Sequence, residues 1–154
     1  MEIKIKSFLE KPQEIDDSVH IYVDGSYDKE SERYSYGMVV LLEDKSTEEY
    51  CEAFSDPDML SMWNVAGEIM GACAAMQYAM DYQLPKITIF HDYEGISKWP
   101  LREWKANKEG TKAYVKFFDE ASLKVKINFK KVTGHSGDKY NEQADKLARK
   151  ALGL

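Results

Sequence analysis

The sequence predicts an α/β domain built on a mixed five-stranded sheet, three antiparallel hairpin strands followed by two parallel ones, with helices on both faces. Three observations predict it. Period-two runs follow one another at about 18–24, 33–42 and 47–54, separated only by turn-forming residues. Two later apolar runs, at about 86–91 and 124–132, alternate with helical segments, as parallel crossovers require. With 154 residues and 44% hydrophobic content, the chain can bury one core, and it shows no internal repeat or second domain.

Residues 1–17 mix Lys and Glu with Pro12 and an acidic Glu14-Ile15-Asp16-Asp17 cluster. They read as a leader or linker before a domain over 18–154, with room for a short strand at Ile3-Lys4-Ile5. Val19-His20-Ile21-Tyr22-Val23 is the first strand, ended by Asp24. Asp28-Lys29-Glu30-Ser31 and Glu43-Asp44-Lys45 are the next turns, and Ser55-Asp56-Pro57-Asp58 is a third. A helix follows over about 64–82, with Asn64 as its N-cap and Ile69, Cys73, Met76 and Met80 as its apolar stripe. Gly71, Ala72, Ala74 and Ala75 are small enough to let that helix approach the sheet. Pro85 precedes the fourth strand, and a short helix starts near Tyr93 and stops before Pro100. A helix over about 108–121 turns Tyr114, Val115, Phe117 and Phe118 inward. In the fifth strand Val125, Ile127 and Phe129 alternate with lysines, and the last helix spans about 139–152.

Composition excludes several classes. Cys51 and Cys73 are too few for a disulfide framework, and no zinc-type Cys/His spacing occurs. No apolar run is long enough to span a membrane and no signal-peptide pattern opens the chain. A cytoplasmic monomer without membrane or protein partner is expected. The net charge of −6 argues at first against a nucleic-acid ligand. Between Lys98 and Lys131, however, ten Lys/Arg face four Asp/Glu. That segment reads either as a phosphate-binding footprint or as a solvated helix face.

Four carboxylates stand in settings that converge. Asp24 and Asp92 follow apolar strand-like runs, Glu68 sits one turn into the long helix, and Asp145 lies on the last helix. Taken singly, each is ordinarily a surface or helix-end charge, and Asp145 within Glu142-x-x-Asp145 is ordinarily structural. Carboxylates placed just past apolar strands are less ordinary, because burying them without a cation is costly. Four of them together would repel one another unless divalent cations sat between them. Two ions about 3.5–4 Å apart can acidify an attacking water and relieve the charge on a leaving 3′ oxygen. Mg²⁺ favours such hard oxygen ligands.

The motifs resemble those of type 1 ribonuclease H over about residues 18–152. Asp24-Gly25-Ser26 resembles the family's first-strand motif, and Asn64-Val65-Ala66-Gly67-Glu68 its Asn-x-x-x-Glu helix start. Ile89-Phe90-His91-Asp92 resembles the strand that delivers its third carboxylate. Gly134-His135-Ser136-Gly137, followed by Asn141-Glu142-Gln143-Ala144-Asp145, resembles its Gly-His loop and final helix. The wording Asn-Val-Ala-Gly-Glu-Ile is similar to bacterial members that carry an N-terminal hybrid-binding, viroplasmin-like module; the chain is expected to be a short form or an isolated catalytic domain of that kind.

The resemblance implies a ribonuclease H-like fold. It also implies an endoribonuclease that hydrolyses the RNA strand of RNA–DNA hybrids with two Mg²⁺ (Mn²⁺ as substitute), leaving 5′-phosphate and 3′-hydroxyl ends. By the same resemblance Asp24 bridges both ions, Glu68 and Asp92 hold the ion on the leaving-group side, and Asp145 holds the one on the water side. His135 resembles the mobile histidine that assists proton movement or product release; outside this motif it would be a loop histidine without a task. His20 and His91 are expected to have no such role, alternation turning His91 away from Asp92.

The 2′-hydroxyl is the handle that distinguishes RNA from DNA. Gly25, Ser26, Asn64 and Glu68 are expected to contact it in the minor groove. Trp99, Trp104, Lys105, Asn107, Lys108 and Thr111 are candidates for the DNA strand, the indoles packing on deoxyribose or, equally, serving as helix packing. The readout is expected to follow shape and sugar, with little base preference. Two departures stand out. The segment between Asp92 and His135 lacks a long basic helix-loop, which predicts weaker hybrid binding, and Val65 stands where many members have a second Asn. A nuclease of the same fold with another substrate and a catalytically silent hybrid-binding module are the alternatives. The Gly-His loop and the Asn-x-x-x-Glu helix start argue against the first and the complete carboxylate set against the second.

Overall fold

The alternating segments pair as their periodicity requires. β1 (Val19–Asp28), β2 (Arg33–Leu41) and β3 (Thr47–Phe54) form antiparallel hairpins. β4 (Lys86–His91) joins β1 in parallel and β5 (Lys126–Lys131) joins β4 in parallel. The order across the sheet is β3-β2-β1-β4-β5. The computed structural model describes residues 1–9, 19–133 and 138–154.

Alternation within β1 and β2 sorts side chains to two cores. Ile21, Val23, Tyr36 and Met38 pack with α1 (Asn64–Asp81), and with Ile96 of α2 (Gly95–Lys98) and Tyr114 of α3 (Glu109–Ala121). Tyr22, Val39, Leu41 and Phe90 pack on the other face with Ala144 of α4 (Lys139–Ala151). The expected stripe of α1 is in place, with Ile69, Cys73 and Met76 fully buried. Yet α1 is less amphipathic than expected, since every residue from Ala66 to Met76 is buried. The sheet covers one side of this helix and α3 packs against it as well, so small residues line it nearly all round.

Several boundaries differ from the sequence expectation. β1 does not end at Asp24 but continues to Asp28, because its hairpin with β2 stays in register through Gly25–Tyr36, Ser26–Ser35, Tyr27–Tyr34 and Asp28–Arg33. The Ser55–Asp58 turn is the entry to a 3-10 helix over Pro57–Met62, with Asp56 accepting from the Asp58 N–H. Asn64 is the first helical residue rather than the cap. The cap position falls to Trp63, which has φ 53° and offers no side-chain capping bond. β5 starts at Lys126, since Lys124 and Val125 still donate to Ala121 in the turn after α3. Val115 is half-buried, whereas Tyr114 is fully so.

The first nine residues are not the loose leader expected of them, and no strand forms at Ile3–Ile5. Ile3 and Phe8 belong to the main core. The Phe8 ring meets Tyr50 edge-on at 5.0 Å and Tyr78 at 5.8 Å. Its N–H donates to Asp81 Oδ2 at 2.7 Å, and its carbonyl accepts from the Tyr82 hydroxyl. In the sequence the apolar signal is a few isolated residues in a charged stretch, too sparse for a periodicity. Phe8→Ala is expected to destabilise the protein by about 3 kcal/mol, the ordinary cost of emptying a buried phenylalanine site. Urea unfolding measures this, and a destabilisation below about 0.5 kcal/mol, the range of neutral surface changes, would return the segment to a dispensable leader.

Candidate active site

Glycines on both faces of the sheet position the site. Asp24 lies on β1 opposite Gly37 of β2. A Cβ on Gly37 would fall 1.9 Å from the Ala144 carbonyl oxygen, so α4 rests directly on the strand backbone there. That contact delivers Asp145, the next residue, to Asp24. On the other face a Cβ on Gly25 would fall 2.2 Å from the Asn64 carbonyl oxygen, and one on Gly67 would fall 1.9 Å from the Ser35 carbonyl oxygen. α1 therefore presses on β1 and β2 at the turn that carries Glu68. The β1–β4 ladder ends at Tyr22–Phe90, leaving Asp24 at the edge where β4 stops. Asp92 follows one residue after β4.

The result is a cleft of about 340 Å³ lined by Asp24, Asn64, Glu68, Asp92, Glu94 and Lys131, among others. Glu68 is 3% exposed, and its carboxylate accepts from the Tyr93 N–H at 3.0 Å and the Asp92 N–H at 3.3 Å. Burial pushes its pKa up to about 8, against those two hydrogen bonds and helped by the charges of Asp24 and Asp92. Burial likewise pushes Asp24 up to about 7; the Gly25 N–H at 2.9 Å opposes this, while Asp145 and Asp92 add to it. Asp145 lies near enough for its charge to act on Asp24, and it pairs with Arg149 at 3.0 Å. That ion pair is the structural use its helix setting suggested.

Among the described residues, no three Asp, Glu, His or Cys side chains are drawn together closely enough to hold a metal ion as they stand. In chemistry the donor set fits a hard divalent cation. All four candidates are carboxylates, and two of them are driven toward protonation by burial and mutual repulsion, which a cation would relieve.

The other expected site residues stand in varied relation to this cleft. Asn64 lines it; Gly25 is taken up by the contact with α1, and Ser26 continues β1 opposite Ser35. Trp99 and Trp104 meet edge-on at 5.8 Å, and Tyr93, a cleft residue, lies 5.8 Å from the first and 6.0 Å from the second. Lys105, Asn107 and Lys108 are exposed between α2 and α3. Thr111 is 2% exposed, and its hydroxyl bonds both the N–H and the carbonyl of Lys108. It serves the start of α3 rather than the surface. His135 and its glycine-flanked loop lie outside the described residues. His91 is buried against Phe129, with Nδ1 2.9 Å from the Tyr93 carbonyl oxygen.

Sequence reasoning missed Glu94 and Lys131. Glu94 stands two residues beyond Asp92 in the loop that enters α2, and the loop's bend brings it to the cleft. Lys131 shows in the sequence only as one of a basic run. The parallel register that sets it beside His91 at the strand ends is a tertiary fact.

These shifts make stability depend on pH in a defined direction. Unfolded carboxyls titrate at about 4, while Asp24 and Glu68 titrate at about 7 and about 8 in the fold. The folded state therefore holds protons more tightly. Their stabilising contribution is complete below about pH 4 and is lost as pH rises through 7 to 8. In metal-free buffer the melting temperature should fall between about pH 5 and 8.5, and Asp24→Asn should flatten that slope. A melting temperature that rises across this window, or an equal slope in the variant, would contradict the assignment.

The chain matches the family model described as RNase H over residues 16–153. A ribonuclease H from Shewanella denitrificans is 31% identical over 143 residues, covering 86% of each chain. A ribonuclease H from a Wolbachia of Drosophila simulans is 47% identical over 62 residues, and that match spans 38% of this chain and 43% of the relative. Among solved structures, LC11-RNase H1 in complex with an RNA/DNA hybrid superposes with a TM-score of 0.66 at 15% identity, over 87% of this chain and 99% of that one. That likeness shows the shared fold, and the family match, which spans most of the chain, shows that the chain belongs to the ribonuclease H family.

Proposed function

We propose that the chain hydrolyses the RNA strand of RNA–DNA hybrids by two-metal-ion catalysis, with Mg²⁺ or Mn²⁺, leaving 5′-phosphate and 3′-hydroxyl ends. The observation that carries this reading is the cleft lined by Asp24, Glu68 and Asp92, with the charge of Asp145 acting on Asp24. Family membership supports the reaction class. The RNA/DNA hybrid bound to LC11-RNase H1 supports the substrate.

Asp24 would touch both ions, Glu68 and Asp92 the one on the leaving-group side, and Asp145 the one on the water side. When bound, the ions supply a more acidic attacking water and charge relief at the leaving 3′ oxygen. The chain's own groups hold these ligands in place. The Gly25 N–H fixes Asp24, the Tyr93 and Asp92 N–H groups fix Glu68, and Arg149 restrains Asp145. His135 would assist proton movement or product release.

Asn64 lines the cleft, and with the backbone at Gly25 and Ser26 it would read ribose 2′-hydroxyls. Trp99, Trp104, Lys105, Asn107 and Lys108 would take the DNA strand, the indoles on its sugars and the lysines on its phosphates. Lys98 stands 5.4 Å over the Trp104 ring and adds positive charge to that side. No helix among the described residues is long and apolar enough to cross a membrane. A cytoplasmic enzyme acting as a monomer fits this reading.

The test is cleavage of labelled hybrid, double-stranded DNA and double-stranded RNA, with Mg²⁺ and with EDTA. Only the hybrid should be cut, and only with the metal. Asp24→Asn should keep its circular dichroism spectrum and lower kcat about 10³-fold or more, because a ligand common to both ions disappears. Near-normal turnover in that variant would remove Asp24 from the mechanism. Hybrid binding without any cleavage by the parent protein would favour a silent binding module.

Lys105→Ala with Lys108→Ala should raise KM and lower the slope of log KM against log salt by about one to two, one for each phosphate left without a cationic partner. An unchanged slope would place the DNA strand elsewhere.

A further inference from the structure

Trp63 has no task in the fold that matches its size. It is 62% exposed and is the bulkiest of the large apolar side chains that reach solvent among the described residues. Its φ of 53° with ψ of −126° is a conformation that side-chain-bearing residues rarely adopt. It occupies the cap position of α1 yet makes no side-chain capping bond. A glycine would fill that backbone position without strain, and Ser, Asp or Asn would cap the helix. The indole is instead held by a stack on Tyr27, with centroids 6.3 Å apart and planes at 24°. Tyr27 is itself half-buried and lies three residues beyond Asp24 on β1.

The place of this pair gives it a use. The two residues after Trp63, Asn64 and Val65, line the acidic cleft. The pair therefore flanks the cleft on its α1 side, while Trp99 and Trp104 stand on its Tyr93 side. Val65 offers no hydrogen bond to a sugar, so polar contact at the start of α1 rests on Asn64 alone. A rigid aromatic face beside it can supply contact area without ordering a flexible side chain.

We propose that Trp63, supported by Tyr27, is a stacking platform for the sugar edges of the hybrid's minor groove, and so a substrate-positioning residue of this chain. The inference rests on the hybrid-cleavage reading and adds to it. Stacking on sugar faces is tolerant of base sequence, which accords with a shape-based readout.

Trp63→Gly and Trp63→Phe test it, with hybrid KM, kcat and melting temperature measured for each beside the parent enzyme. Trp63→Gly should raise KM several-fold, as the loss of a rigid aromatic contact face requires. It should leave the melting temperature level or higher, because the left-handed backbone is relieved. Trp63→Phe should restore most of the affinity. A merely structural tryptophan would lower the melting temperature in Trp63→Gly without a KM effect separable from it. That result overturns the proposal, as does an unchanged KM in Trp63→Gly or an equal KM rise in both variants. If the parent protein cuts hybrid and Trp63→Gly matches it, this inference alone fails. If the parent neither binds nor cuts hybrid, the underlying reading fails and takes this one with it.

Discussion

Backbone pressed against backbone is the contact on which this molecule's chemistry depends. α4 meets β2 at Gly37, and α1 meets β1 and β2 at Gly25 and through Gly67, at separations that leave no room for a methyl group. Such closeness brings Glu68 of α1 into the cleft that Asp24 and Asp92 line, and brings Asp145 of α4 near enough for its charge to act on Asp24. Any side chain at these glycines would have to shift a helix, and with it Glu68 or Asp145. Close packing of this kind yields little to distortion, which is why it can hold functional groups against their own repulsion.

That repulsion is the second half of the account. Asp24 and Glu68 are raised to about 7 and about 8, with burial the first cause and neighbouring acids a further one. Backbone N–H groups moderate the cost, since Glu68 accepts from two and Asp24 from one. Arg149 draws Asp145 and Lys131 enters the cleft, so a share of the countercharge comes from the protein. Small hard cations could supply the remainder at far higher charge density than an ammonium or guanidinium group. On the proposed reading, a site left partly protonated near neutral pH would exchange protons for metal, and metal affinity would rise with pH.

Much of this was legible in the sequence, for identifiable reasons. The mixed sheet, three antiparallel strands and then two parallel ones, followed from period-two runs and crossover logic, and the buried stripe of α1 from its helical spacing. The four acidic residues stood out because two of them followed apolar strands. The extension of β1 past Asp24 was not legible, because Gly25, Ser26 and Asp28 have low strand propensity and are kept in the sheet by pairing with β2. The anchoring of Phe8 was hidden, since a single aromatic in a charged segment carries no period. Thr111 looked like a surface polar group, yet its hydroxyl closes the first turn of α3. Glu94 and Lys131 enter the cleft through loop geometry and parallel register, neither of which has a local signature. Trp63 carries no signal in the sequence, which cannot report a left-handed backbone at a non-glycine residue.

The central claim is that these carboxylates exist to hold a pair of divalent cations against a phosphate. An anomalous difference map from crystals of the unsubstituted protein, grown with a short uncleavable hybrid and Mn²⁺, tests it most directly. The account predicts two peaks in the cleft, both within reach of Asp24, one also touched by Glu68 and Asp92 and the other by Asp145. Hybrid bound in the cleft with no manganese peak there, or with peaks that Asp24 does not contact, would contradict it.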